Sequence, residues 1–165
     1  MSENNPYQAV IAAPFGCCIG ITMSCGAVSV LDYLPANTPE QPPADETTAG
    51  VVSQLAAYFA DASNPLTAPV MLAGTKFQHR VWEALQAIPP GTVLTYGDLA
   101  RQLGTAARAI GNACRSNPVP ILVPCHRVVA RQGLGGYAGA VTGDPLAIKR
   151  WLLRHEGVAV AVASG

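Results

Sequence analysis

Hydrophobic residues in the first third of the chain occur in short runs that turn residues interrupt. Pro14-Phe15-Gly16 and Cys25-Gly26 separate these runs, which contain β-branched and aromatic residues. Short runs between turns predict a meander of buried antiparallel strands, and the polar residues within them argue against a membrane span. We expect the strands at residues 7–13, 17–24 and 27–33.

An amphipathic helix is predicted after a proline-rich loop. Thr47 or Thr48 can cap its start, and Ser63-Asn64-Pro65 ends it. Its apolar positions share one face, and they are Val51, Leu55, Tyr58 and Phe59. Strands and helix together predict a small α/β N-terminal domain over residues 1–73, in which no residues are arranged for chemistry.

The rest of the chain has the pattern of a mainly α-helical domain over residues 74–157, followed by a C-terminal tail at 158–165. Thr75 caps the first predicted helix, which has one apolar stripe. Asp144-Pro145 supplies the N-cap and first residue of the last helix, and Gly157 closes it.

Two shorter helices between these predict a helix-turn-helix. Thr95 begins a helix that runs through Leu103, and Gly104-Thr105 makes a tight turn into a second helix at residues 106–116.

This second helix is rich in small residues, with four alanines and one glycine among eleven, and it also carries Arg108 and Arg115. Small side chains allow a helix backbone to approach a partner closely, and the narrow minor groove of DNA favours a slim helix with a few arginines. The alternative is an alanine-rich helix packed tightly inside the protein.

Charge is distributed unevenly along the chain although the formal net charge is zero. Residues 1–75 contain six acids and no lysine or arginine, whereas the remainder contains all ten bases and four acids. This asymmetry indicates either a polyanionic partner for the second half or attraction between the two halves.

The five cysteines form an odd set without C-x-x-C spacing. Since no secretory n-region is present, we expect reduced thiols in a cytoplasmic protein. Cys17 and Cys18 have no histidine nearby, so buried structural thiols are the preferred interpretation over a metal site.

The strongest chemical signal is the segment 117–129, in which a cysteine and a histidine are adjacent after a proline-spaced apolar run. The prolines fix φ and favour an extended, stiff backbone. A thiol is a good nucleophile only as the thiolate, and His126 and Arg127 supply a base and a positive charge beside Cys125. Because adjacent side chains of an extended segment point to opposite sides, we expect a water to connect the thiol and the imidazole.

Two features follow this segment. Residues 131–143 form a glycine-rich loop with one aromatic residue, Tyr137, and without phosphate-binding motifs, which favours a wall for a flat ligand. Glu156 lies at the C-terminal end of the last predicted helix, where a carboxylate is unfavourable, so it is either solvated or paired with a cation such as a histidine.

Taken together, these motifs resemble the O6-alkylguanine-DNA alkyltransferase family, in particular its bacterial members. The resemblance is close over residues 74–157 and covers the first half in outline. The residues that carry it are Asn117-Pro118, Pro124-Cys125-His126-Arg127, Arg108 in the slim helix, and the terminal Leu-Leu-Arg-His-Glu-Gly at 152–157. It implies a ribonuclease-H-like N-terminal domain and a helical C-terminal domain that carries the site.

The resemblance implies direct-reversal DNA repair. Cys125 would accept the alkyl group of O6-alkylguanine, and of O4-alkylthymine as a further possible substrate, in a single irreversible turnover. His126 would be the base that acts through a water, Glu156 would orient it, and Tyr96 would protonate the departing guanine. No metal and no organic cofactor are expected.

The implied partner is double-stranded DNA, bound by a monomer through the minor groove with the damaged base flipped out. Arg108 would take the place of the extruded nucleotide. The implied DNA-contacting residues are Thr95, Ala106, Ala107, Arg108 and Arg115. The implied substrate-pocket and hinge residues are Asn117, Pro124, Val128, Tyr137 and Ala138.

Other classes of function stay open at this point. A non-catalytic relative would bind the lesion without reacting, but such relatives lack the acceptor cysteine. A regulator would read the major groove with the helix-turn-helix, which the small second helix disfavours. A cysteine hydrolase is disfavoured because no oxyanion-hole glycine follows Cys125.

Overall fold

The computed structural model describes residues 5–135 and 145–159. The N-terminal half begins with three antiparallel strands in sequence order, β1 (Ala9–Ala12), β2 (Cys18–Ser24) and β3 (Ala27–Leu34). Cys25 and Gly26 both have positive φ in the tight turn between β2 and β3. The predicted meander is confirmed: β1 and β2 are shorter than predicted, whereas β3 extends one residue further, to Leu34.

Helix α1 (Glu46–Ala60) packs Val51, Leu55 and Tyr58 into the core beneath this sheet. Asp45 is its N-cap, and its carboxylate accepts hydrogen bonds from the backbone N–H and the hydroxyl of Thr48, each at 2.7 Å. The predicted cap at Thr47 or Thr48 is therefore wrong, because the Asp45 carboxylate accepts the free N–H of Thr48 and the helix already begins at Glu46.

The second half is mainly helical, as predicted. Its helices are α2 (Lys76–Gln86), α3 (Tyr96–Leu103), α4 (Ala107–Arg115) and α5 (Pro145–His155). Thr75 and Thr95 form the capping boxes that start α2 and α3. Gly104, with φ of 67°, ends α3 and allows the short turn into α4. The predicted N-cap of α5, Asp144, lies outside the described residues.

A short parallel pair of strands brings the start of α3 next to the segment that contains the cysteine. In this pair β4 (Leu94–Thr95) is paired with β5 (Val128–Val129), so that Thr95 lies opposite Val129. Tyr96 follows β4 directly and Arg127 precedes β5 directly. The sheet register therefore places these two parts of the site side by side.

The backbone at Cys125–Arg127 forms a single 3-10 turn. The Arg127 N–H donates to the carbonyl of Pro124 at 3.0 Å, and the Val128 N–H donates to the carbonyl of Cys125. The prediction of an extended backbone is wrong here. Proline restricts the residue that precedes it, and the residue directly after Cys125 is not a proline. Neighbouring side chains in such a turn diverge by about 120°, and therefore do not point to opposite sides.

The two halves share one continuous core. It includes Tyr33 and Leu55 from the first half together with Leu99 and Ile148 from the second. The backbone N–H of Leu31 in β3 also donates to the carbonyl of Pro118 at 2.9 Å. The sheet thus helps to hold the segment that leads to the cysteine. Within the described ranges, no helix is both long and apolar enough to span a bilayer.

Candidate active site

Cys125 lies at the start of the 3-10 turn, with only 4% of its surface exposed. Asn117 holds the backbone segment that leads to Cys125. The Asn117 side chain donates to the carbonyl of Val123 at 2.8 Å and accepts from the N–H of Val119 at 3.0 Å. These bonds close the loop that the prolines stiffen. The buried amide therefore fixes the backbone from which the thiol projects.

Burial raises the pKa of the Cys125 thiol, because a thiolate is poorly solvated inside the protein. A hydrogen bond with the Asn117 side chain and the charge of Lys149 oppose this shift. The charge near the thiol thus comes from Lys149. The predicted neighbour Arg127 instead directs its guanidinium to Glu156 and to the carbonyl of Ile88, at 2.6 Å from the latter.

Lys149 in α5 is fully buried, and burial lowers the pKa of its ammonium group to about 8. Its Nζ donates to the carbonyl of Val128 at 2.7 Å and lies 5.8 Å from the centre of the Tyr96 ring. The motifs in the sequence did not point to Lys149. The spacing nevertheless indicated that Lys149 lies on the buried face of the helix, since it has i+3 and i+4 spacing to Leu152 and Leu153, which are buried.

His126 is fully buried, and its Nε2 lies 2.9 Å from Oε2 of Glu156. A carboxylate only accepts hydrogen bonds, so Nε2 carries the hydrogen and Nδ1 of the neutral ring is the free base atom. Nδ1 is buried and has no hydrogen-bond partner in the described part of the chain. Burial lowers the pKa of this imidazole, although Glu156 acts in the opposite direction. The ring is therefore neutral and able to accept a proton at neutral pH.

Glu156 is paired and not solvated, which decides between the two alternatives for it. Besides His126, it binds Arg127, whose Nε donates to Oε1 at 2.9 Å and whose Nη2 donates to Oε2 at 2.8 Å. Tyr58 donates to Oε2 at 2.6 Å. Burial alone would raise the pKa of this carboxyl, but the bonds from His126, Arg127 and Tyr58 hold it well below its usual range.

Tyr96, the first residue of α3, is half-buried and packs against Gly135. Gly135 has a φ of 71°, and a side-chain carbon there would lie 2.8 Å from Cε2 of the Tyr96 ring. Only glycine combines this backbone conformation with such a close approach. A cavity of about 440 Å³ lies beside Tyr96, and Thr95, Ala107 and Arg131 also line it.

The residues that the resemblance assigns to DNA contact form an open edge. Ala106, Ala107, Arg108 and Arg115 are exposed, whereas Ile110 anchors α4 in the core. The alternative of an α4 packed on all sides is therefore wrong. Thr95 is half-buried, and its hydroxyl accepts from the backbone N–H of Asp98 in the α3 capping box.

The remaining predicted residues divide into two groups. Pro124 and Val128 are buried on either side of the 3-10 turn. Tyr137 and Ala138, assigned to the pocket wall, lie outside the described residues. Over residues 5–135 and 145–159, no three His, Cys, Asp or Glu side chains are grouped as metal ligands.

Fold and site together define a cysteine-centred protein, in which a buried cysteine is followed along the chain by a neutral histidine that is hydrogen-bonded to a buried carboxylate. A family model described as the DNA binding domain of 6-O-methylguanine DNA methyltransferase matches residues 76–158. The chain belongs to this family.

Individual relatives agree with the family match. A methylated-DNA–protein-cysteine methyltransferase of Salmonella typhimurium is 52% identical over 112 residues, which cover 66% of this chain and 63% of that protein. The match thus spans less than two thirds of that relative's length. The crystal structure of Mycobacterium tuberculosis O6-methylguanine methyltransferase has a TM-score of 0.72 and 33% identity, over 94% of each chain. The Mycobacterium tuberculosis OGT in complex with DNA has a TM-score of 0.73 and 38% identity, over 90% of this chain and 91% of that one. These structures share the small antiparallel sheet and the several helices of this fold.

Proposed function

We propose that this protein repairs alkylated DNA by transferring the alkyl group of O6-alkylguanine to the sulfur of Cys125. The observation that carries the proposal is the buried series of Cys125, neutral His126 and Glu156. The names of the relatives support the same chemistry. The thioether product has no easy reversal, so each molecule acts once.

The reaction begins with the thiol proton, which His126 accepts at Nδ1 through a water. Glu156 holds the imidazole by Nε2 and stabilises the charge that the ring gains. The thiolate then attacks the alkyl carbon, forming the S–C bond as the C–O6 bond breaks. Lys149 stabilises the thiolate, since its positive charge opposes the burial that raises the pKa of the thiol.

The guanine leaves with the electrons of the broken bond and needs a proton as charge develops on it. Tyr96 is the proposed donor, because it is the first residue of α3 and lines the cavity of about 440 Å³ together with Ala130. Lys149, 5.8 Å from the centre of the Tyr96 ring, favours the phenolate that remains.

The target base must leave the duplex, because a sulfur cannot reach the alkyl carbon in line within stacked DNA. We assign DNA binding to α3 and α4 as a helix-turn-helix, with the exposed edge of Ala106 and Ala107 toward the minor groove. Arg108 would occupy the space of the flipped nucleotide. We further assign residues 1–73 to a ribonuclease-H-like domain and 74–157 to the DNA-binding domain, with O4-alkylthymine as a possible second substrate.

Incubation with duplex DNA that carries isotope-labelled O6-methylguanine tests the proposal. Intact mass and peptide mapping should find one added methyl group on Cys125 and none on the other cysteines. Cys125→Ser should gain no label, and Cys25→Ser, which changes an exposed cysteine, should react like the wild type. If the wild-type protein binds the lesion but gains no label, the non-catalytic alternative would be established instead.

A further inference from the structure

Tyr58 connects the N-terminal half to the catalytic carboxylate. It lies in α1, 98 residues before Glu156, and its hydroxyl donates to Oε2 of that carboxylate at 2.6 Å in a fully buried setting. The ring packs edge-on against His155 and next to Phe59. The neighbouring His155 also bonds the backbone carbonyl of Tyr58. The hydroxyl is thus held in one place by packing on several sides.

The two oxygens of Glu156 are used unequally. Oε2 receives hydrogen bonds from His126, Arg127 and Tyr58, whereas Oε1 receives one from Arg127. The oxygen that holds the imidazole is therefore the one that Tyr58 contacts. A phenol stabilises the negative charge of this oxygen without adding a charge of its own. It also resists rotation of the carboxylate away from His126.

We propose that Tyr58 is a positioning residue of the alkyl transfer, acting through Glu156 on His126, so that the N-terminal half takes part in the activity. The inference rests on the function proposed above, because it assigns Tyr58 to that same site. When Glu156 loses the hydrogen bond from Tyr58, more of its negative charge is available to interact with the imidazolium of His126. Loss of the Tyr58 hydroxyl should therefore favour the protonated form of His126 and loosen the orientation of its ring.

The other charged groups around Glu156 and His126 come from several elements. Arg127 contacts Glu156 from the 3-10 turn, and Lys149 of α5 acts on both Cys125 and His126. Burial, and next the charge of Glu156, raise the pKa of Tyr58. The phenol therefore stays protonated across the working range. Removal of its hydroxyl leaves these charged side chains in place, which makes Tyr58→Phe a clean test.

Tyr33→Phe is the matched control. Tyr33 is also fully buried, lies in β3 of the same half and packs edge-on against Phe15, and the hydrogen bonds to Glu156 described above come from other residues. Both variants remove one oxygen from a buried tyrosine. The single-turnover rate with excess O6-methylguanine duplex is measured from pH 5 to 9. The titration of the His126 ring is followed by NMR in the same proteins.

In Tyr58→Phe the rate at neutral pH should fall by about tenfold, the scale of one lost hydrogen bond to a charged group. The midpoint of the acidic limb of the pH–rate profile and the midpoint of the His126 titration should both move to higher pH by about half a unit or more. Tyr33→Phe should keep the wild-type rate, midpoint and titration. Binding to undamaged duplex should be equal in all three proteins.

Unchanged rate and unchanged His126 titration in Tyr58→Phe would overturn the inference while the wild type still methylates Cys125. A slower rate with a wild-type His126 titration would also overturn it, since Tyr58 would then serve the fold alone. Failure of the wild type to methylate Cys125 would instead refute the proposed function. The NMR titration distinguishes these cases, because it reports the Tyr58 effect on His126 without requiring turnover.

Discussion

The ammonium group of Lys149 donates to the carbonyl oxygen of Val128 at 2.7 Å, and both residues are fully buried. This bond fixes a positive charge from α5 beside the backbone that follows the reactive cysteine. Since the same charge opposes the raised pKa of the Cys125 thiol, α5 contributes to the electrostatics of the site as well as to its packing.

Lys149→Met should slow the alkylation of Cys125 by free O6-benzylguanine at neutral pH by about tenfold, the factor that corresponds to one pKa unit of the thiol. Methionine keeps the length of the side chain but removes the charge. The rate should recover as the pH rises, because the thiolate then forms without help. Lys76→Met, at an exposed position, should react as the wild type does. Equal rates in both variants would exclude a role for the buried ammonium group.

Glu156→Gln should lower the free energy of unfolding at pH 7 by about 3 kcal/mol, since it leaves the buried Arg127 without its anionic partner. The pKa of Glu156 is held below its usual 4.5 in the folded protein, so its stabilisation is present above that value. It is lost as the pH falls, because the folded carboxylate must then be protonated. Urea unfolding of the two proteins should therefore differ at pH 7 and converge as the pH drops below about 4.5. A difference in the free energy of unfolding that stays constant with pH would contradict this assignment.

Arg108→Ala should reduce repair of O6-methylguanine in duplex DNA by about tenfold or more, while reaction with free O6-benzylguanine stays close to the wild-type rate. The reason is that the exposed arginine acts only when a stacked base must be replaced. Arg154→Ala removes an exposed arginine from α5 and serves as the control. Parallel losses of Arg108→Ala on both substrates would remove the proposed role.

Gly135→Ala should displace the Tyr96 ring, because the added carbon would lie 2.8 Å from Cε2. We expect the rate with free O6-benzylguanine to fall toward that of Tyr96→Phe. Gly133→Ala is a suitable control, since Gly133 also has positive φ but a side-chain carbon there would have no atom within 4 Å. A wild-type rate in Gly135→Ala would show that the position of Tyr96 does not limit the reaction.

Local features of the fold could be predicted from the sequence, and long-range ones could not. The capping boxes at Thr75 and Thr95 depend on residues three positions apart, and the strand meander depends on adjacent turns. The site residues His126 and Glu156 came from a motif and a family resemblance. The resemblance implied their pairing, which the structure shows at 2.9 Å, whereas the residue pattern alone does not predict a contact between positions thirty apart.

Tyr58 illustrates the same limit. Its spacing with Leu55 predicts only a buried face of α1, and that part is confirmed. Nothing in the pattern distinguishes a buried tyrosine that packs from one whose hydroxyl meets a carboxylate in the other half. The 3-10 turn at Cys125 was missed for a different reason. The prolines before it dominate the local pattern, although their restriction ends at Pro124.

The bond between His126 and Glu156 also sets an order of events during synthesis. His126, the residue after Cys125, leaves the ribosome thirty residues ahead of the carboxylate that holds its imidazole. Until α5 is complete and docked, a nascent chain has neither that carboxylate nor Lys149 in place. Under the proposed function, a growing polypeptide therefore carries an unreactive sulfur, which can react only once α5 has been made.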